Sequence, residues 1–324
     1  MTTADPLPDR APQPSRSKQP SYTEQPGQTE QPGQTEQPSA SWHPGGRYLA
    51  LPFGRVHVVH VPARTAAKGA IVMLHGYLQS SWAWRHNIDA LAEQFAVYAV
   101  CVPGFGWSDK PQAVSYRLVA QAERLLAVLD GLELGRVHLV GNSLGAALAL
   151  QIALLAPARV DRLVLVNPAG MGAHLASLVA TLPHEAAAPL LALPGVGAVL
   201  QLALRHGAYA GLAVDTAVLA RFLTPLRSRG GARAALAVAR YFNRDLAALD
   251  SRLADVGAET LVVWGRGDRV VPLASVERLT ARLANARLEL YDCSGHCPME
   301  EEPARFNRET LTFFSASPAP SEDP

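Results

Sequence analysis

Residues 137–145 read Val137-His-Leu-Val-Gly-Asn-Ser-Leu-Gly145. The mostly apolar run Val137–Gly141 predicts a buried strand, and the alanine- and leucine-rich stretch Leu144–Leu155 predicts a helix that follows at once. The turn between them has the pattern Gly-x-Ser-x-Gly, whose small outer residues allow a tight bend. In this setting Ser143 is expected to hold a strained backbone and to project its hydroxyl as a nucleophile. The alternative is a serine that only caps the helix.

A serine nucleophile needs a base, and the base needs an acid that orients it. Asp268 and His296 each come shortly after a predicted strand, so both are expected at carboxyl ends of strands, where open α/β sheets place their sites. Asp268 could instead close a glycine-rich turn, and His296 could be a surface histidine. Asp250 and Asp255 are reserve acids, although neither directly follows a clear strand.

Attack on a carbonyl also requires backbone N–H donors that face the developing oxyanion. Leu144, at the start of its helix, is expected to supply one donor. The segment Met73-Leu-His-Gly-Tyr77 ends another predicted strand, and the N–H of Tyr77 is the natural second donor. His75 precedes the turn glycine, so we expect it to make a structural hydrogen bond and not to act as a base.

Short apolar runs alternate with longer amphipathic runs from Arg47 onward. This alternation predicts an α/β fold, with a mostly parallel twisted sheet that is flanked by helices on both faces and begins with an antiparallel pair. The predicted strands are Arg47–Leu51, Val56–Val61, Ala70–Leu74, Ala96–Val102, Val137–Gly141, Leu163–Val166, Thr260–Trp264 and Arg287–Tyr291. The predicted helices are Trp84–Gln94, Val119–Leu132, Leu144–Leu155, Ala274–Leu283 and Pro303–Phe314.

The composition changes along the chain and predicts its domains. Residues 1–40 are rich in proline and repeat Thr-Glu-Gln-Pro, which predicts a disordered low-complexity tail. Residues 41–170 and 251–316 are predicted to form the α/β core. Residues 171–250 show no convincing strand and are far too long for an ordinary connection, so they are predicted to form a helical cap over the carboxyl edge of the sheet. Residues 317–324 are predicted to be a disordered C-terminus.

Within the predicted cap, residues 186–204 contain Gln201 as their only polar residue. A membrane span needs about 20 apolar residues. Pro189 and Pro194 interrupt this run, which favours buried cap helices that line an apolar pocket over a span. Contact with a membrane surface is correspondingly disfavoured.

The charges balance, with 29 Lys and Arg against 28 Asp and Glu, and this excludes nucleic-acid binding driven by bulk charge. Three cysteines are too few for a disulfide scaffold. Residues 1–40 do not contain the basic segment and apolar run that are typical of a secretion signal. We therefore expect a cytoplasmic protein, monomeric or dimeric.

Two features beside His296 are not interpreted as sites. Cys293 and Cys297 flank the histidine, but no partner pair lies elsewhere, so no metal is expected. The acidic run Glu300–Glu302 is typical of a solvated helix start.

The segment from Arg47 to Ala316 resembles the α/β-hydrolase superfamily, in the capped branch that contains esterases, meta-cleavage C–C hydrolases, haloalkane dehalogenases, epoxide hydrolases and cofactor-free haloperoxidases. Besides the serine and aspartate segments, Val102-Pro-Gly-Phe-Gly-Trp-Ser-Asp-Lys-Pro111 and Gly295-His-Cys-Pro-Met-Glu-Glu-Glu-Pro303 follow the family's pattern. In one departure, Cys101-Val102 stands where the family usually has an acidic residue. The resemblance implies the α/β-hydrolase fold with a helical cap insertion.

The resemblance also narrows the chemistry. Dehalogenases and epoxide hydrolases of this family carry aspartate as the nucleophile, so Ser143 favours acyl chemistry. We therefore expect a serine hydrolase that cleaves a small to medium apolar carboxylic ester through an acyl-serine intermediate, without a cofactor. One alternative is a C–C bond hydrolase of the meta-cleavage-product type, which usually binds its substrate carboxylate through an arginine; Arg205, Arg221 and Arg240 lie in or near the predicted cap. Another is a non-catalytic receptor on the same fold.

Overall fold

The computed structural model describes residues 22–23, 41–169, 202, 205–210 and 228–316. In these ranges one nine-stranded sheet has the order β1-β2-β3-β5-β4-β6-β7-β8-β9. The strands are β1 (Tyr22–Thr23), β2 (Gly46–Leu51), β3 (Gly54–Val61), β4 (Ala70–Leu74), β5 (Ala96–Val100), β6 (Val137–Asn142), β7 (Val160–Val166), β8 (Glu259–Gly265) and β9 (Ala286–Tyr291). The pairs β1–β2, β2–β3 and β3–β5 are antiparallel, and all other pairs are parallel. The mostly parallel sheet and its antiparallel start are thereby confirmed.

Helices cover both faces of the sheet. The described α-helices are α1 (Ile88–Leu91), α2 (Leu118–Gly131), α3 (Leu144–Leu155), α4 (Gly231–Asp250), α5 (Ala274–Thr280), α6 (Pro298–Glu301) and α7 (Pro303–Ser315). Successive residues of a strand point to opposite faces. On β4, Ile71 and Met73 accordingly enter the apolar cluster beneath α7, whereas Val72 and Leu74 enter the cluster beneath α2 and α3.

The carboxyl ends of the parallel strands meet at one edge of the sheet, which is where the predicted site residues lie. Tyr77 follows β4, Ser143 follows β6, Asp268 follows β8 and His296 follows β9. Because these strands run in the same direction, residues separated by more than a hundred positions in sequence come to the same edge.

The predicted helix Trp84–Gln94 is wrong in extent. The structure has a 3₁₀ turn at Ser81–Trp84 and the four-residue helix α1. The Ser80 hydroxyl accepts from the N–H of Trp82 and starts the short turn. Asn87 is fully buried and its side-chain amide donates to the carbonyl of Met299 at 3.0 Å, a tertiary contact that overrides local helical preference.

Two residues of the predicted tail belong to the sheet, since Tyr22 and Thr23 pair with Leu49 and Tyr48 of β2. The rest of residues 1–40, residues 317–324 and most of residues 171–227 lie outside the described residues, so the domain boundaries stay predictions. The described part of the predicted cap is helical in α4. No helix within the described ranges combines the length and the apolar composition that a membrane crossing needs.

His57, His75 and His138 are buried beneath the surface of the described core. Burial penalises the charged imidazolium and lowers the pKa of each from 6.5 to about 4. Between these values the unfolded chain binds more protons than the folded chain. Their contribution to stability is therefore complete above pH 6.5 and is lost as the pH falls towards and through 4.

We expect the free energy of unfolding to decrease between pH 6.5 and pH 4 by on the order of 3 kcal/mol for each of these histidines. His57→Phe keeps an aromatic ring against Tyr48 and Trp107 and removes one titrating group. Urea denaturation at pH 7 and pH 4.5 should show a smaller loss in this variant than in the wild type. Equal losses would contradict the assignment.

Candidate active site

The turn between β6 and α3 holds Ser143 in a strained conformation, with φ 53° and ψ −113°. The backbone N–H of Ser143 donates to the carbonyl of Val166 at 2.9 Å, which joins the turn to β7. A Cβ atom added to Gly145 would lie 2.0 Å from the carbonyl oxygen of Leu74. The Ser143 side chain makes no capping hydrogen bond, so the alternative of a helix-capping serine is not realised.

Among the described residues, four donors contact the carboxylate of Asp268. The backbone N–H groups of Val270 and Val271 donate to Oδ1 at 2.7 and 3.0 Å. The side-chain amide of Asn167 donates to Oδ2 at 2.5 Å, and Nδ1 of His296 lies 2.7 Å from the same oxygen. The carboxylate is thus fixed in orientation on both oxygens.

Hydrogen bonds fix both the ring and the backbone of His296. With Nδ1 donating to Asp268, the neutral ring presents Nε2 as an acceptor, which is the state that a general base requires. The backbone N–H of His296 donates to the carbonyl of Ala208 at 2.7 Å. Its carbonyl accepts from the side chain of Asn142 at 3.1 Å, and Asn142 directly precedes Ser143. The histidine backbone is therefore bonded to the serine turn.

All three predicted side chains are buried at this edge of the sheet, with residue exposures of 8% for Ser143, 8% for Asp268 and 6% for His296. Asp268 and His296 are in direct contact. Among the described residues the Ser143 hydroxyl has no hydrogen-bond partner, so the serine–histidine bond of a triad is not formed in this conformation. Rotation about χ1 of Ser143 redirects its hydroxyl at low energetic cost. Catalytic hydrogen bonds between a serine and a histidine often shorten only when substrate binds.

The two predicted oxyanion donors follow the carboxyl ends of the adjacent strands β4 and β6. Leu144 is the first residue of α3, so its N–H has no acceptor within the helix. The N–H of Tyr77 donates to no acceptor among the described residues. The side-chain oxygen of Gln79 accepts from the N–H of Gly76 at 2.7 Å and shapes the loop, and the hydroxyl of Tyr77 donates to the carbonyl of Ala235 on α4 at 2.8 Å.

His75 has a structural role, as expected. The N–H of Val102 donates to Nε2 of His75 at 3.0 Å, so Nδ1 carries the proton and donates to the carbonyl of Gly76 at 2.8 Å. Both ring nitrogens are engaged by backbone, and the ring is not available as a base.

The reserve acids Asp250 and Asp255 lie beside arginines. Asp255 pairs with Arg252 at 3.0 Å, and Asp250 lies 4.0 Å from Arg282. Arg205 and Arg240 are exposed, and Arg221 lies outside the described residues.

Apolar side chains border the Leu144 side of the site. A cavity of about 10 Å³, which is room for a single water molecule, lies between α3 and α4. It is lined mainly by apolar side chains, among them Leu144, Val238, Phe242 and Leu246, and also by Gln121 and Asp245. The helix α4 therefore presents apolar surface next to the serine turn.

Several supporting residues were not identified from the sequence. Asn142 and Asn167 position the histidine and the acid through their side-chain amides. Their signal was available, because each is a buried amide at the carboxyl end of a parallel strand. The interpretation of Glu300–Glu302 as a solvated run is wrong for Glu300, which is 3% exposed and paired with Arg85 at 2.8 Å.

Comparisons with known proteins agree with this geometry. Residues 69–303 match the family model described as alpha/beta hydrolase fold. A 2-hydroxy-6-oxo-6-phenylhexa-2,4-dienoate hydrolase of Burkholderia cepacia is 31% identical over 253 residues, which cover 76% of this chain and 87% of the relative. An uncharacterized protein of Mycobacterium tuberculosis is 32% identical over 271 residues, covering 79% and 78%.

Two solved structures extend the comparison. A meta-cleavage product hydrolase from Pseudomonas fluorescens is 27% identical with a TM-score of 0.67, covering 83% of this chain and 97% of that chain. A carboxylesterase from Bacillus subtilis is 24% identical with a TM-score of 0.64, covering 84% and 92%. The second likeness, at this identity, bears on the fold alone.

Gly145→Ala should destabilise the protein by about 3 kcal/mol or more, because its new methyl group meets the backbone of β4 with no flexible side chain to move aside. Gly135→Ala is the matched control, since a Cβ there meets no atom within 4 Å. Urea denaturation measures both. A Gly145→Ala protein as stable as the control would show that the turn tolerates a side chain.

Proposed function

The chain belongs to the alpha/beta hydrolase family, and on this basis we propose that it is a serine hydrolase that cleaves a small to medium apolar carboxylic ester through an acyl-serine intermediate. The observation that carries the proposal is the 2.7 Å contact between Asp268 and His296 on a loop bonded to the serine turn. A monomeric or dimeric state and a cytoplasmic location complete the proposal.

The proposed reaction begins when Nε2 of His296 takes the proton of the Ser143 hydroxyl as its oxygen attacks the carbonyl carbon. The N–H groups of Tyr77 and Leu144 stabilise the oxyanion. The histidine then gives its proton to the leaving alkoxide, which departs as the alcohol and leaves an acyl-serine. Water then attacks this ester and gives a proton to the same histidine, which returns it to the Ser143 oxygen as the acyl–serine bond breaks and the carboxylic acid leaves. Throughout, Asp268 keeps the imidazole oriented and stabilises its charged form.

The charge of the described surroundings supports a neutral substrate. Arg85 is already paired with Glu300, and Arg205 and Arg240 are exposed. From α4, the side chains of Val238, Phe242 and Leu246 border the cavity beside Leu144, and the carboxylate of Asp245, which also lines it, is already paired with Arg117. An apolar acyl group therefore suits this side of the site better than a carboxylate, whose burial without a partner is costly.

A C–C bond hydrolase is the second candidate, and the Burkholderia cepacia relative favours it. That relative is named for a dienoate substrate, which carries a carboxylate. A substrate of this kind would require a cation near the site, and Arg221 is the remaining arginine proposed from the sequence. The two candidates therefore differ in the charge of the substrate that is accepted.

Ser143→Ala and His296→Ala should lower kcat by up to about six orders of magnitude, and Asp268→Asn by about four.

A fluorophosphonate probe should label the wild type at Ser143, as located by mass spectrometry of peptides. Ser251→Ala, which removes an exposed hydroxyl at the end of α4, is the control and should label normally. A folded wild type that is not labelled would instead favour the receptor alternative.

Turnover of p-nitrophenyl esters of increasing acyl length should be compared with turnover of 2-hydroxy-6-oxo-6-phenylhexa-2,4-dienoate. We expect kcat/KM to be at least about tenfold higher for the best ester than for the dienoate, because the carboxylate of the dienoate loses binding energy when it is buried without a cation. A preference for the dienoate would select the C–C hydrolase instead.

A further inference from the structure

Residues 205–210, here called the cap segment, pack against the loop that carries His296. The N–H of His296 donates to the carbonyl of Ala208 at 2.7 Å, and the N–H of Ala210 donates to Oε2 of Glu301 at 2.9 Å. The approach is close: a Cβ atom on Gly295 would lie 2.8 Å from both the oxygen of Ala208 and the nitrogen of Ala210. The cap segment and the histidine loop are thus in backbone contact.

The carboxylate of Glu301 holds the chain on both sides of the histidine. Its Oε1 accepts from the N–H of Gly295 at 2.8 Å and from the N–H of Cys297 at 3.4 Å. Its Oε2 accepts from Ala210 of the cap segment. One side chain therefore joins the residue before His296, the residue after it and the cap segment.

A second carboxylate fixes the same segment. The hydroxyl of Tyr209 donates to Oε2 of Glu300 at 3.3 Å, and Arg85 pairs with that oxygen at 2.8 Å. The guanidinium of Arg85 lies 3.8 Å from the ring centre of Trp82. A buried carboxylate costs free energy unless it is paired, and Arg85 offsets this cost for Glu300. The paired carboxylate in turn fixes the position of the Tyr209 hydroxyl.

We propose that Glu301 is a positioning residue for His296: its carboxylate holds the residues on both sides of the histidine to the cap segment, and with the bonds of Ala208 and Asn142 to the histidine backbone it sets where Nε2 lies relative to Ser143. The proposal rests on the proposed role of His296 as the base. Asp268 fixes the rotation of the ring, but it does not fix the position of the backbone from which the ring projects. A displacement of about 1 Å at a reacting group can cost about 100-fold in rate.

Glu301→Gln tests this proposal, because an amide presents only one oxygen. Whichever way the amide turns, either Gly295 or Ala210 faces an NH₂ group in place of an acceptor. Glu302→Gln is the matched control, because it removes the same charge one residue away. In the wild type the Ser294 hydroxyl donates to Oε1 of Glu302 at 2.6 Å, and the amide oxygen of the variant can still accept this bond. The measured quantity is the second-order rate of fluorophosphonate labelling at Ser143. Glu301→Gln should label about 10 to 100 times more slowly than Glu302→Gln.

A second pair keeps the test decisive if Glu301→Gln folds poorly. Tyr209→Phe removes only the hydroxyl that joins the cap segment to Glu300. Tyr291→Phe removes an equivalent buried hydroxyl, which donates to Glu309 at 2.6 Å away from the cap segment. Tyr209→Phe should slow labelling at least about threefold relative to Tyr291→Phe at matched melting temperature, because misplacement of the base acts on rate more than on stability.

The outcomes separate this inference from the proposed function. If the wild type labels and the members of each pair label at equal rates, the positioning role is wrong and the hydrolase proposal stands. If the wild type does not label, the hydrolase proposal fails, and amide hydrogen exchange over residues 294–302 decides the structural claim. Exchange should be faster in Glu301→Gln than in Glu302→Gln; equal exchange would overturn the claim.

Discussion

Ser143 has φ 53° and ψ −113°, a conformation that costs on the order of 1–3 kcal/mol for a residue with a side chain. This backbone conformation persists because hydrogen bonds and close packing fix the residues around it. Its N–H is bonded to Val166 on the neighbouring strand, its carbonyl accepts from Ala146 and Ala169, and the helix that follows begins within contact distance of the backbone of β4. The same geometry leaves the first N–H of α3 beside the hydroxyl. A proposed nucleophile and a proposed oxyanion donor therefore arise from one backbone constraint, and the sheet stabilises both.

The buried polar groups around the turn form a connected network. Asn142 links the serine turn to the carbonyl of His296, and Asn167 donates to Asp268 while its own oxygen accepts from the N–H of Gly265. The loop of His296 is thus bonded to the end of β6, and the loop of Asp268 to the end of β7, in each case by an amide side chain. Amides suit this task because they donate and accept without adding a charge that would compete for the proposed base. Networks of this kind stabilise a single arrangement to the extent that their members are satisfied, and here the buried side-chain oxygen of Asn142 has no hydrogen-bond partner among the described residues.

Much of this site could be predicted from the sequence because strand ends are local signals. Short apolar runs followed by Gly-Asn-Ser, by Gly-Asp and by Gly-His place Ser143, Asp268 and His296 at one edge once the sheet is parallel. The role of Glu300 could not be predicted in this way. Its burial depends on Arg85, which is 215 residues away, and nothing in the run Glu300–Glu302 distinguishes a paired carboxylate from a solvated one. The helix predicted at Trp84–Gln94 is likewise too long, because a local sequence pattern does not show the tertiary hydrogen bonds of Asn87.

Residues of the predicted cap are bonded to the loops that carry Tyr77 and His296, so the position of these residues and the geometry of the proposed site are interdependent. On one side, the carbonyl of Ala235 on α4 accepts from the hydroxyl of Tyr77, whose N–H is the proposed oxyanion donor. On the other side, Ala208 and Ala210 are bonded to the loop of His296. Arg117 and the N–H of Leu118 both bond to Asp245, which secures α4 to the start of α2. A shift of these cap residues would therefore displace a donor and the base together, whereas a loop that merely covered a pocket would displace neither. Variation in this part of the chain is then expected to change the rate of the proposed reaction, because Ala208, Ala210 and Ala235 are bonded to the two loops.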